Sequence, residues 1–133
     1  MSRVGFLGDI AAVALGGALG SVLRYGLTVA LPALPSSRAM LGTIAANVLG
    51  CMALGALAQW VSLEPAQWSE RNLLLLRVGL LGGLTTFSTF VAEAWVLGSD
   101  GRTPMLLFHL AAHLLLGFAA FWLGIYAIRQ LAN

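Results

Sequence analysis

Four long apolar stretches, at about residues 9–31, 40–61, 72–97 and 104–127, take up nearly all of this 133-residue chain. A bilayer core of about 30 Å is crossed by about 20 mostly apolar residues in helical form. Each stretch meets that length. Helices also satisfy their own backbone polar groups in lipid, so the chain reads as one all-α membrane domain, 1–133, crossing four times. Only 9% of the residues are charged, against roughly a quarter in soluble domains, so a water-facing surface cannot be built. No room is left for a soluble catalytic domain.

The connections carry the expected punctuation. Pro32 and Pro35-Ser36-Ser37 follow the first stretch, Ser62 to Arg71 the second, and Gly98-Ser99-Asp100-Gly101 the third. Pro104 suits the first turn of the fourth helix. Arg3 precedes an apolar run as in a signal peptide, but Asp9 interrupts it and the apolar sequence continues to Leu31, which predicts a retained helix. Cys51 is the sole cysteine. It allows no intrachain disulfide and reads as a small buried hydrophobe. A formal charge of +2 does not make the dense basic face that nucleic acid requires.

Short connections between four crossings place both termini on one side. That side carries Arg3, Arg71, Arg129 and the nearby Arg77, and the other carries Arg38, Arg102 and the nearby Arg24. The positive-inside rule therefore finds almost no bias. Two readings stand: a small excess orients every copy alike, or copies insert both ways and pair as antiparallel dimers. Small residues at Gly16/Gly20, Gly42/Ala46/Gly50 and Gly79/Gly83 recur every fourth position, a spacing that lets helix backbones approach closely in lipid.

Polar groups at membrane depth are costly and mark function by default. Gly82-Gly83-Leu84-Thr85-Thr86-Phe87-Ser88-Thr89-Phe90 combines two poor helix formers with four hydroxyls, which predicts a third helix broken near its middle. Irregular backbone survives at that depth only inside protein or along a watery cavity, where its freed carbonyls suit a cation and its N–H groups an anion. Phe87 and Phe90 share a face by their i, i+3 spacing, and their positive ring edges suit a small anion, although lipid or core packing explains most such residues. Glu93 follows one turn later, placed to cap the break or pair with an arginine. Asn47 lies deep in the second stretch; its amide either solvates an anion or bonds a neighbouring helix. Arg24 either snorkels to the interface or concentrates anions at a pore mouth. His109 and His113, spaced i, i+4, lack a third metal ligand nearby and read as a polar stripe or helix contact whose titration would make transport pH-sensitive. No nucleophile–base pair, Walker loop or zinc motif occurs, so an enzyme is not expected.

Three runs, Gly-Gly-Ala-Leu-Gly-Ser-Val-Leu-Arg-Tyr at 16–25, Gly-Thr-Ile-Ala-Ala-Asn at 42–47 and the 82–90 run, in that order resemble the Fluc (CrcB) family of fluoride channels over essentially the whole chain. The resemblance implies an antiparallel, dual-topology homodimer in a bacterial-type inner membrane. It implies two pores that export toxic fluoride passively. It implies Phe87 and Phe90 as the family's paired pore rings, Asn47 as its pore asparagine and Arg24 as the arginine after the first glycine motif. Gly82 and Thr85 match positions whose carbonyls hold a structural sodium ion at the dimer centre, Thr86, Ser88 and Thr89 fall in the hydroxyl-rich pore stretch, and Glu93 matches its acidic position. His109 and His113 depart from the pattern, standing where many relatives place a tyrosine and a serine. The rival reading is a small dual-topology exporter of organic cations, including drugs. It needs a membrane-embedded carboxylate in an early helix, and Asp9 lies too near the start of the first helix to serve.

Overall fold

The computed structural model describes residues 3–31 and 35–132, with side chains described for 5–31 and 40–132. Pro32 and the side chains of Arg3 and Arg38 lie outside the described residues. Helix α1 is Arg3–Ala30 and α2 is Pro35–Leu63, so Pro35, Ser36 and Ser37 begin the second helix. A short 3-10 turn, Pro65–Gln67, leads to the third span. That span has two helical pieces, α3 (70–84) and α4 (Phe87–Ser99), and the fourth is α5 (103–131). Four helical spans, Gly5–Ala30, Met40–Leu63, Glu70–Ser99 and Thr103–Leu131, are long and apolar enough to cross a membrane. There is no strand among the described residues.

Side-chain chemistry sets the ends. Ser69 Oγ accepts the Asn72 N–H at 3.1 Å and caps the start of α3, satisfying one of the donors that a helix start leaves open. Gly101 takes a positive φ of 68° after α4, the left-handed conformation that favours glycine, and the Arg102 N–H closes back on the Leu97 carbonyl at 2.9 Å. On the side of the termini, Arg71 pairs with Asp9 at 3.2 Å, and the Arg129 Nε donates to Gln59 Oε1 at 3.1 Å.

The small-residue positions are where backbones meet. Gly16 lies against Leu75 and Leu80, and Gly20 against Leu80 and Leu84, so α1 and α3 run side by side in the same direction. Gly55 lies against Phe121 and Gly124 against Met52 and Ala56, which pairs α2 with α5 in the same way. Asn47 meets Thr86 while Thr43, one turn earlier, meets Glu93, so α2 runs opposite to the third span. The order is up-down-up-down, as short connections dictate. Two small cores fill the interior. One holds Met40, Ile44, Leu97 and Ala112. The other holds Ala46, Leu57, Leu81 and Leu84. Large apolar side chains such as Leu15, Val22, Leu115, Phe118 and Trp122 point outward, which suits a lipid-facing surface and not a watery one.

The seam between α1 and α3 gives a paired test. A Cβ on Gly20 would stand 2.1 Å from the Leu80 carbonyl oxygen, whereas one on Gly17 would meet nothing within 4 Å. Gly20→Val is expected to lower the yield of monodisperse protein in detergent sharply, since overpacking against backbone costs about 1–3 kcal/mol or more. Gly17→Ala is expected to leave it unchanged. Size-exclusion profiles and thermal midpoints of the two variants decide the matter.

Candidate functional site

The third span is wound irregularly as it approaches mid-membrane. Leu74–Leu81 is π-helical, a winding often found at functional sites, and Gly82–Leu84 returns to α. Thr85 (φ −84°, ψ 155°) and Thr86 (φ −151°, ψ 118°) are extended, and the helix resumes at Phe87. Two successive extended residues divert the hydrogen bonds of a continuous helix. The Thr86 N–H donates to Asn47 Oδ1 at 2.7 Å, and the Thr86 carbonyl accepts from Asn47 Nδ2 at 3.1 Å. The Thr89 N–H donates to Thr86 Oγ1 at 3.2 Å, which caps the second half of the span. An unbroken helix would aim those two N–H groups at the carbonyls of Gly82 and Thr85. The Gly83 carbonyl, four residues before Phe87, accepts from Arg24 Nε at 3.1 Å.

The residues singled out by sequence thus divide by what they touch. Asn47 clamps the backbone of Thr86 through both ends of its amide. The half-buried Arg24 holds a carbonyl of the third span and is not among the residues that line the cavity described below. Thr85 Oγ1 donates back to Leu81 at 2.8 Å, as threonines in helices commonly do. Thr86 Oγ1 lies 3.2 Å from Ser88 Oγ and 3.1 Å from Thr89 Oγ1, so three of the four hydroxyls form one local network.

Beyond the interruption, rings and ionisable groups form a continuous row. Phe87 and Phe90 have centroids 5.6 Å apart, and the Phe90 ring lies 5.1 Å from His109 and 4.5 Å from His113. His109 is fully enclosed; its Nε2 sits 3.2 Å from the Phe90 carbonyl and 3.6 Å from Glu93 Oε2. Glu93 Oε1 accepts from Thr43 Oγ1 at 2.8 Å. Thr43 is the residue that sequence reasoning missed. Its signal was the i, i+4 spacing from Asn47, which puts both on the face of α2 turned toward the third span. Glu93 pairs with Thr43 and His109, and with no arginine among the described side chains.

An open cavity of about 370 Å³ joins these parts. Its lining includes Asn47, Arg77, Gly82, Thr85, Thr86, Phe87, Phe90 and His113. Phe87 is 76% exposed there, although it stands at membrane depth beside polar groups. Among the described residues no group of three or more His, Cys, Asp or Glu side chains converges as a metal site. Most of the lining surface is apolar; its polar groups are hydroxyls, an amide, an imidazole and the Arg77 guanidinium, with no carboxylate among them.

Fold and site together define a small multi-pass membrane protein with a polar, aromatic-lined site at an interruption of its third span. Residues 11–125 match the family described as CrcB-like protein, Camphor Resistance (CrcB), and the chain belongs to that family. It is 37% identical to the fluoride-specific ion channel FluC of Rhodopirellula baltica, over 94% of this chain and 97% of that one. It is 42% identical to the fluoride-specific ion channel FluC of Aromatoleum aromaticum, over 85% of each. With the fluoride-specific ion channel FluC 2 of Symbiobacterium thermophilum it shares 40% identity, over 86% of this chain and 93% of the relative. These relatives are named as ion channels and not as enzymes, and four apolar helices make this a multi-pass protein of the bacterial plasma membrane.

The Asn47 clamp carries a stability test. Asn47→Leu leaves the Thr86 N–H and carbonyl without their partner, and each buried unsatisfied group costs about 1–3 kcal/mol. The thermal midpoint in detergent is expected to fall clearly, and Asn47→Asp, which keeps the acceptor for the Thr86 N–H but loses the donor, to fall between. An unshifted midpoint for Asn47→Leu would show that the clamp holds nothing.

Proposed function

We propose that this protein is a fluoride-selective channel through which the anion leaves the cell passively. The single observation that carries the reading is the row formed by Phe87, Phe90 and the polar groups beyond them, lying along a cavity at membrane depth in a chain whose relatives bear the name fluoride-specific ion channel. Fluoride holds its hydration shell tightly, so a selective path must replace that shell with many weak partners, none strong enough to trap the ion. Positive ring edges, the hydroxyls of Thr86, Ser88 and Thr89, and the second N–H of the Asn47 amide supply such partners. Arg24 acts through its hold on the Gly83 carbonyl, and His113 continues the path along α5 with the enclosed His109 packed behind it.

The working unit is an antiparallel homodimer with two pores, each built from both subunits. Near-absence of charge bias between the two ends of the spans supports insertion both ways, and the exposure of Phe87 beside an open cavity supports a second copy closing it. The interruption at Thr85–Thr86 is the functional break of the third helix. A structural sodium ion at the dimer centre would be held by the carbonyls of Gly82 and Thr85. The fit rests on donor chemistry: these are the two carbonyls whose helical N–H partners go to Asn47 and Thr86 Oγ1, and neutral oxygens suit a monovalent cation. When bound, sodium would supply positive charge that the carbonyls alone lack. The cation-exporter reading is not favoured, because the one carboxylate deep in the third span, Glu93, is engaged by Thr43 and stands beside His109.

Purified protein in liposomes is expected to release fluoride, and not chloride, once the membrane potential is shunted. Equal chloride efflux would sink selectivity. Phe87→Ile and Phe90→Ile are each expected to reduce fluoride efflux by orders of magnitude while the dimer still forms, as read by a fluoride electrode and by cross-linking. Unchanged flux in either variant would take that ring out of the mechanism.

A further inference from the structure

One cluster is short of protons. Glu93 Oε2, His109 Nδ1 and His113 Nε2 are all buried and have no hydrogen-bond partner, and the two imidazole centroids lie 4.5 Å apart. The partners of the other ring nitrogens fix the tautomers, since a carbonyl can only accept. His109 Nε2 must carry the proton it gives to the Phe90 carbonyl. His113 Nδ1 must carry the proton it gives to the His109 carbonyl, at 3.0 Å. Each neutral ring therefore keeps one bare lone pair. Fluoride is itself an acceptor only, so none of these three atoms can receive it.

A proton on His113 Nε2 reverses this. The lone pair becomes an N–H donor on a cation, the kind of donor that makes the shorter, stronger charge-assisted bonds. We propose that His113 contacts fluoride only as the imidazolium, so that a proton resident on that ring gates the passive passage of the anion along α5; this rests on the fluoride reading above. The proton comes from water and stays on Nε2 while the anion passes, and no other bond changes.

The choice of His113 over its neighbour follows from what faces each ring. Glu93 lies 3.6 Å from His109 Nε2, so a charge on the enclosed His109 is matched by a carboxylate and draws no anion. His113 lines the cavity with Phe87 and Phe90 and has no carboxylate of its own. Around that cavity α2 offers it the Cys51 thiol and α3 the Arg77 guanidinium. From α4 Glu93 reaches only as far as His109, and on α5 itself the neighbour is His109.

Fluoride efflux from proteoliposomes, at equal pH inside and out, tests this between about pH 8 and about pH 5, the range in which imidazole gains its proton. Protein-free liposomes measure the leak of undissociated hydrogen fluoride. Wild-type efflux is expected to rise by up to roughly tenfold as pH falls, the scale of one charge-assisted hydrogen bond. His113→Gln and His113→Ser, whose side chains donate at every pH, are expected to give flat profiles, while His109→Gln keeps the slope. A flat wild-type profile would overturn the proposal, and so would a slope that survives in either His113 variant. Absence of fluoride efflux at any pH would sink the fluoride reading and this proposal together, whereas efflux without slope sinks this proposal alone.

Discussion

Everything at the centre of this subunit leans on one side-chain amide. Asn47 gives a donor to the Thr86 carbonyl and an acceptor to the Thr86 N–H, much as a neighbouring strand would. In lipid an unpaired backbone group costs several kcal/mol, so two extended residues at that depth need such a partner. Once Thr86 is held, its hydroxyl is free to cap the second half of the span. That fixes the start of α4, and with it the places of Phe87, Phe90 and Glu93. Remove the amide and the dihedrals of Thr85 and Thr86 have nothing to hold them.

The close seams serve the same end. α1 meets α3, and α2 meets α5, through glycine with backbone in contact. The two pairs are therefore stiff, and each brings one polar residue to the interruption from outside the third span: Arg24 from α1 and Asn47 from α2. Lipid gives no hydrophobic driving force between helices, so close approach and these few directed bonds must supply the cohesion.

Much of this was legible in the sequence, for reasons that differ by residue. The four spans follow from length and apolarity alone, which a bilayer leaves little freedom to contradict. Glycines at every fourth position announced contact faces, because nothing but another backbone profits from a missing side chain there. The 82–90 run drew attention as the place where polar groups gather. Partners were not legible. Asn47 had a choice between ion and backbone, and spacing along α2 does not say which residue of another helix will stand opposite. The sequence position of Arg24 suits a snorkel or an anion magnet, and nothing in it names the Gly83 carbonyl as the partner of its Nε. Thr43 passed unnoticed because a threonine in a helix ordinarily bonds its own backbone, and Glu93 lies across 50 residues of chain from it. Such pairings come from the antiparallel register of α2 against the third span, which no local pattern encodes.

The hydrogen bonds that hold the interruption open come from an amide, hydroxyls, backbone and a guanidinium, none of which changes charge in the physiological range. The groups that can change charge, Glu93, His109 and His113, stand one or more turns further along. Scaffold and tuning elements are thus carried by separate residues. A lineage could alter how such a protein responds to acidity by exchanging two positions on its last helix, and the architecture around Thr86 would not have to be reinvented each time.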